Sequence, residues 1–123
     1  MTEVLKISPE AQQSLMQMQT FQQQMQTINY QRETLRFQKL EAERALDEMK
    51  NMKGSDEVFK AVGPILIKSK KSDIEKDLKE KMEMADVRLK TIESQEEKIR
   101  NKVEELQKKL EALLKQEEKA EAE

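Results

Sequence analysis

Two long runs of apolar residues spaced seven apart constrain this sequence more than any other feature. The first run has five members from Phe21 to Met49, and the second has six members from Leu78 to Leu113. Neither run contains a glycine or a proline, because the two of each that the chain has lie outside both runs. A seven-residue repeat sustained over this length predicts long helices in a left-handed coiled coil, not helices packed into a globular core.

Capping signals mark where the two helices begin. Ser8 can accept a hydrogen bond at the start of the first helix, and Pro9 suits its first position. Ser72 and Glu75 have the spacing of a capping box at the start of the second helix. Beyond that helix the last residues lack an apolar stripe, which predicts a frayed acidic tail. Within one domain of residues 1–123, the predicted segments are a helix over 9–52, a helix over 73–116 and a tail over 117–123.

Two helices of equal length joined by a short insert favour a chain that folds back on itself as an antiparallel coiled-coil hairpin. In that arrangement, facing residues along the seam have numbers that add up to about 125. Lys39 then faces Asp86, and Arg32 faces the neighbourhood of Glu93 and Glu96. We predict that these polar pairs fix the register of the two helices at some cost in stability.

The insert between the helices differs in composition, and we predict a β-hairpin over 57–69. Two short runs rich in β-branched residues flank Gly63 and Pro64, and such a two-residue break joins paired strands. An isolated two-stranded hairpin is marginal in water and leaves its edges unpaired. The hairpin either folds onto the base of the coiled coil or, as we favour, joins an intermolecular β-barrel. The candidate oligomerisation residues are Val58, Phe59, Val62, Ile65, Leu66 and Ile67.

Residues 11–31 form an uncharged segment in which nine of 21 residues are glutamine. Surface helices usually carry ion pairs on their solvent side, and the apolar face of this segment is wider than one seam can bury. Methionine side chains adapt to varied apolar partners. We therefore predict an apolar binding surface at the free end of the coiled coil, the alternative being ordinary seam core with frayed ends. The candidate residues are Leu15, Met16, Met18, Phe21, Leu110, Leu113 and Leu114.

The composition removes several classes of function. The chain has no histidine and no cysteine, so the usual ligand sets for zinc, copper and iron–sulfur clusters are missing. Catalytic triads and cysteine nucleophiles are missing for the same reason. We expect no metal, no cofactor and no enzymatic activity. The net charge of −2 argues against a nucleic-acid-binding arm, which needs a basic face.

The N-terminal sequence and the hydropathy pattern predict a cytoplasmic protein that does not enter the membrane. The first ten residues lack the apolar core of a signal peptide. No stretch approaches the roughly 20 apolar residues of a membrane span. The absence of cysteine fits a reducing compartment.

Three segments carry a resemblance to a known family. The hairpin region reads DEVFKAVG at 56–63 and ILIK at 65–68, and the second helix contains RLKTIESQEE at 88–97. Together with the glutamine-rich first helix, these segments resemble the β-class subunit of prefoldin over nearly the whole chain. Pro64 departs from the small or polar residue that the family places after the glycine of the loop.

The resemblance implies a co-chaperone that works without nucleotide. In this family, four β-class and two α-class subunits join through their hairpins into a double β-barrel that carries six coiled coils. The tips of the coiled coils hold unfolded client polypeptides and deliver them to a group II chaperonin. The apolar end surface would then be the client-binding tip, and residues 115–118 a contact for the chaperonin. The alternative is a structural or tethering coiled coil that binds one specific folded partner.

Overall fold

Two long helices joined by a β-hairpin make up the chain. The computed structural model describes residues 7–122, with the side chains of residues 7–119. The elements are, in order, α1 (Pro9–Lys50), β1 (Val58–Val62), β2 (Ile65–Ser69) and α2 (Lys71–Ala122). This arrangement confirms the expected fold class, whereas the joining of hairpins from several chains stays a prediction. Within residues 7–122, no helix is long and apolar enough to cross a bilayer.

The chain divides into two compact units, and each helix contributes to both. Among the described residues, 7–30 and 93–122 belong to one unit, and 31–92 form the other. We call the described part of the first the terminal unit and the second the central unit. The central unit contains the hairpin, and the terminal unit contains the start of α1 and the end of α2.

Ser8 caps α1 in the terminal unit, as its sequence position predicts. The Ser8 hydroxyl oxygen accepts a hydrogen bond from the backbone N–H of Ala11 at 3.1 Å. The Ser8 backbone N–H in turn donates to Oε1 of Glu117 at 2.8 Å. The numbers of Ser8 and Glu117 add up to 125, so this contact has the antiparallel register that the heptads predict.

The far ends of both helices differ from the predicted bounds. Helix α2 continues through Ala122 instead of ending near 116, so the frayed tail predicted from 117 is wrong as far as the backbone is described. Glu117 lies seven residues after Leu110, so it prolongs the heptad with a polar residue that has a partner in Ser8. Helix α1 ends at Lys50 instead of 52, because the chain tightens there into bonds between residues three apart.

The start of α2 also differs from its prediction. The backbone N–H groups of Asp73 and Ile74 donate to the carbonyl oxygen of Lys70, so the helix begins at Lys71. Ser72 therefore lies inside the first turn, and the predicted capping box is wrong. A tertiary contact favours the earlier start, since the Lys71 ammonium donates to the carbonyl oxygen of Met52 at 3.2 Å.

The buried apolar residues of each unit follow the heptads. In the central unit they are Leu35, Ala42, Met49, Ala85 and Ile92, and in the terminal unit Ala11, Ile28 and Ile99. Ser14 is 1% exposed and lies seven residues before Phe21, so the terminal seam begins with small side chains. The repeat of apolar residues does not predict that the seam extends to Ser14, because this residue is polar.

One polar pair predicted across the seam is present in the central unit. Nζ of Lys39 lies 2.7 Å from Oδ1 of Asp86, which confirms this part of the predicted register. The hydrogen bond to Asp86 and the attraction of its carboxylate raise the pKa of Lys39 above its usual value. The pairing of Arg32 with the glutamates of α2 stays a prediction.

The hairpin turns on two residues, as its sequence predicts. Strands β1 and β2 are antiparallel, with Val62 opposite Ile65, so Gly63 and Pro64 alone form the loop. Gly63 has a φ of 56°, whereas the proline ring holds φ of Pro64 near −65°. A positive φ followed by a negative φ is the sign pattern of a type II′ turn, whose twist suits a β-hairpin.

Candidate functional site

An open groove on the terminal unit is the main concave feature among the predicted binding residues. It has a volume of about 640 Å³ and runs between α1 and α2. The α1 wall carries no charge and consists of Gln13, Met16, Gln17, Thr20 and Phe21. The α2 wall has one apolar side chain among three charged ones, and its residues are Lys102, Glu105, Leu106 and Lys109. The groove therefore has one wall without charge and one charged wall, and both walls contribute apolar side chains.

The apolar part of the groove comes from residues inside and outside the seam. Phe21 and Leu106 occupy heptad positions and are half-buried, because the seam covers only part of each side chain. Met16 lies on the outer side of α1 and is 68% exposed. Nζ of Lys102 stands 5.7 Å from the centroid of the Phe21 ring, within the range of a cation–π contact.

The structure brings only part of the predicted apolar surface to this groove. Met16 and Phe21 line the groove, whereas Leu15 and Leu114 are 37% and 41% exposed away from its lining. The remaining three candidates hold half-buried seam positions, and they are Met18, Leu110 and Leu113. The role of all seven in binding stays a prediction.

Sequence reasoning missed the α2 wall of the groove. Leu106 is a member of the second heptad run, seven residues before Leu113, so the sequence indicates that it lies at the seam. Lys102 and Lys109 also lie seven apart, but charged residues beside a seam usually only solubilise a coiled coil. Their place in the groove depends on the packing of α2 against α1.

The hairpin exposes apolar side chains on both of its faces. Five of the six predicted oligomerisation residues are at least 49% exposed, and Val58 is half-buried. Strand alternation and the register place Val58, Val62, Ile65 and Ile67 on one face, and Phe59, Ala61 and Leu66 on the other. The described sheet has two strands only, so each strand also has a free edge. Such a surface can pair with further strands through its edges and pack through its faces.

Ion pairs tie the hairpin to its surroundings in the central unit. Nζ of Lys60 lies 3.0 Å from Oδ2 of Asp77 in α2, and Lys60 shares a face with Val62 and Ile67. A second pair, 3.2 Å long, joins Lys68 and Glu57 across the strands. The first pair joins the hairpin to α2, and the second joins β2 to the residue that precedes β1.

Within residues 7–122, no three Asp or Glu side chains come together in a group that could hold a metal ion.

Comparisons with known proteins show the family to which the chain belongs. The family model described as a prefoldin subunit matches residues 12–117. Prefoldin subunit beta of Archaeoglobus fulgidus is 39% identical over 97 residues, covering 79% of this chain and 84% of the relative. The same subunit of Pyrococcus horikoshii is 37% identical over 97 residues, covering 79% of this chain and 83% of the relative.

A solved structure agrees with the sequence relatives. The crystal structure of the prefoldin beta subunit from Thermococcus strain KS-1 matches with a TM-score of 0.77 and 34% sequence identity. The match covers 89% of this chain and 96% of that one, so it extends over both helices and the hairpin. The resemblance carried by the hairpin and by the second helix is confirmed, and the chain therefore belongs to the prefoldin family, as a β-type subunit.

Proposed function

We propose that this chain is a subunit of an ATP-independent holdase that captures unfolded polypeptides at the ends of its coiled coils. The observation that carries the proposal is the groove of the terminal unit, where Met16 and Phe21 belong to a helix segment without charge. A flexible, uncharged apolar surface suits contact with many different apolar sequences. Membership of the prefoldin family supports the same role.

Weak binding at each groove is part of the proposed mechanism. At roughly 25 cal/mol per Å² of buried apolar surface, a small groove contributes only a few kcal/mol. A single coiled coil would therefore release a client quickly. Several coiled coils around one client raise the effective concentration of binding surfaces and hold it more firmly. Such a complex needs no nucleotide or other cofactor to bind and to release.

The hairpin supplies the assembly that this mechanism requires. Family membership implies association with other prefoldin subunits, and we propose a hexamer of four β-class and two α-class chains. Support comes from the exposure of Phe59, Ile65 and Leu66 and from the free edges of the two-stranded sheet. Pairing with neighbouring hairpins would cover these side chains and satisfy the edge hydrogen bonds.

Release to a group II chaperonin in the cytoplasm completes the proposed function. Residues 115–118 are the candidate contact, and Lys115 and Glu118 are exposed there. Glu117 already binds the Ser8 backbone, so the contact would depend on its neighbours. Weak grooves allow the chaperonin to displace the subunit from its client by competition.

The test mixes the chain with α-class prefoldin subunits and measures the mass of the product and the aggregation of unrelated unfolded proteins. We expect a hexamer that suppresses aggregation of several clients without ATP. A monomer or plain dimer that protects no client would contradict the proposal. A dimer with one folded ligand would support the tethering alternative instead.

A further inference from the structure

We propose that the groove of the terminal unit selects unfolded segments in which acidic residues flank an apolar pair, a preference that rests on the proposed function. The occupant is a stretch of client polypeptide whose carboxylates meet Lys102 and Lys109 while its apolar side chains contact Phe21 and Leu106. The preference follows from the charges of the two walls and from their spacing along α2.

Lys102 and Lys109 have no carboxylate opposite them. Each lies four residues before a seam leucine of α2, in the flanking position that usually forms an ion pair with the partner helix. The equivalent positions of α1 in this unit are Gln17 and Gln24, so that wall offers only amides. Among the described residues neither lysine forms an ion pair, whereas nearby Lys108 pairs with Glu104 at 3.5 Å.

The positive charge of Lys102 lies directly beside Phe21, an apolar side chain of the groove. Its ammonium group stands over the Phe21 ring, so a ligand that reaches the ring also reaches the charge. A carboxylate beside an apolar side chain can therefore use both features of the groove together. A lysine in the same ligand position would meet repulsion.

The spacing of the charges limits the sequence of the ligand. Lys102 and Lys109 are seven residues apart, or about 10 Å along a helix with a 1.5 Å rise. An unfolded segment in the polyproline II conformation has three residues per turn and a rise of about 3.1 Å per residue, so side chains three residues apart lie on the same side and about 9 Å apart. Glu105 lies on the same wall between the two lysines and disfavours a third carboxylate in the middle. The preferred segment thus reads acidic, apolar, apolar, acidic.

The test measures binding of short unstructured peptides to the complex assembled with α-class subunits. All peptides contain one Phe-Leu pair with the same residue directly on either side of it. These two flanking residues, which lie three positions apart, are both aspartate, both asparagine or both lysine. We expect the aspartate peptide to bind about three- to tenfold tighter than the asparagine peptide, since exposed ion pairs contribute modestly. The lysine peptide should bind most weakly, and added salt should narrow all the differences.

Variants of the α2 wall separate a charge preference from general loss of the groove. Lys109→Gln, which leaves the contact between Lys102 and Phe21 in place, should halve the advantage of the aspartate peptide or reduce it further. Lys102→Gln combined with Lys109→Gln should remove this advantage, so that the aspartate and asparagine peptides bind the double variant equally. Glu105→Gln should increase the advantage. Lys108→Gln is the matched control on the same helix and should leave the advantage unchanged.

Three outcomes would overturn the inference. Equal binding of the aspartate and asparagine peptides would show that apolar side chains alone determine binding to the groove, and the proposed holdase function would stand. Equal binding of an aspartate peptide with Gly-Gly in place of Phe-Leu would show a general anion surface. Failure of all the peptides to bind would contradict the proposed function and the charge preference together.

Discussion

At the scale of single residues, Lys39 shows how a polar side chain can specify a coiled coil. It occupies a heptad position in α1, yet its ammonium group reaches Asp86 at 2.7 Å. An apolar residue there would pack in several registers, whereas this pair is satisfied in one. The pair was predictable from the sequence, because the antiparallel numbering placed a carboxylate opposite a lysine.

Stability should depend on pH through Lys39 in a defined direction. The pKa of Lys39 is raised in the folded chain. Its contribution to stability is therefore complete at pH values below the usual pKa of lysine and is lost as the pH rises through the pKa of the folded state. Thermal unfolding from pH 7 to 12 should show native protein more stable than Lys39→Gln at pH 7, with the difference vanishing at the alkaline end. Lys90→Gln, at an exposed position, is the control. A difference that persists at pH 12 would contradict the assignment.

Gly63 should be sensitive to substitution for conformational reasons alone. Its φ of 56° is strained for other residues, although a methyl group at this position would meet nothing within 4 Å. Gly63→Ala should therefore lower the free energy of unfolding by about 1 kcal/mol. Gly54→Ala has equal space without the positive φ, and denaturant unfolding should show it unchanged or slightly more stable. Equal losses in both variants would contradict the turn geometry.

At the scale of elements, the heptads predict where the helices pair but not where they end. The repeat located the seam because apolar residues recur there, and it missed Ser14 and Glu117 because both are polar. The start of α2 depends on the contact between Lys71 and the Met52 carbonyl, which joins residues far apart in sequence. Helix ends of this kind are decided by tertiary contacts that a local capping signal does not contain.

The end of α2 should contribute to stability through Glu117. Glu117→Ala removes the acceptor of the Ser8 N–H, and we expect unfolding to become easier by about 1 kcal/mol. Glu118→Ala, one residue further and exposed, should have little effect. Chemical denaturation of the two variants compares them directly. Equal stability would mean that the helix end is independent of this contact.

At the scale of the whole molecule, the sequence separates the residues proposed for assembly from those proposed for client binding only in part. The hairpin residues were predictable because β-branched residues on both sides of a two-residue break are typical of paired strands. The groove was less predictable, since Met16 and Met18 lie in the same uncharged segment, yet Met16 lines the groove and Met18 is half-buried in the seam. Leu15 and Leu114 are exposed but outside the groove, so their part in binding stays a prediction.

Polar substitutions in the hairpin should prevent assembly and leave the helices intact. Val62 and Ile67 are each about half exposed and share one face of the sheet. Val62→Ser with Ile67→Ser should therefore reduce hexamer formation with α-class subunits, because the face would no longer bury apolar area. Mass measurement reports assembly, and circular dichroism reports the helices. A normal hexamer would contradict the role of this face.

The central claim, that clients bind at the terminal unit, is tested most directly by suppression of aggregation with two matched double variants. Leu15→Gln with Met16→Gln changes exposed apolar residues of the terminal unit, and Met84→Gln with Val87→Gln changes similarly exposed residues of the central unit. Assembled hexamers carrying the first pair should lose at least half of their protection of an unfolded client, while those carrying the second pair keep it. Equal protection by both would contradict the account.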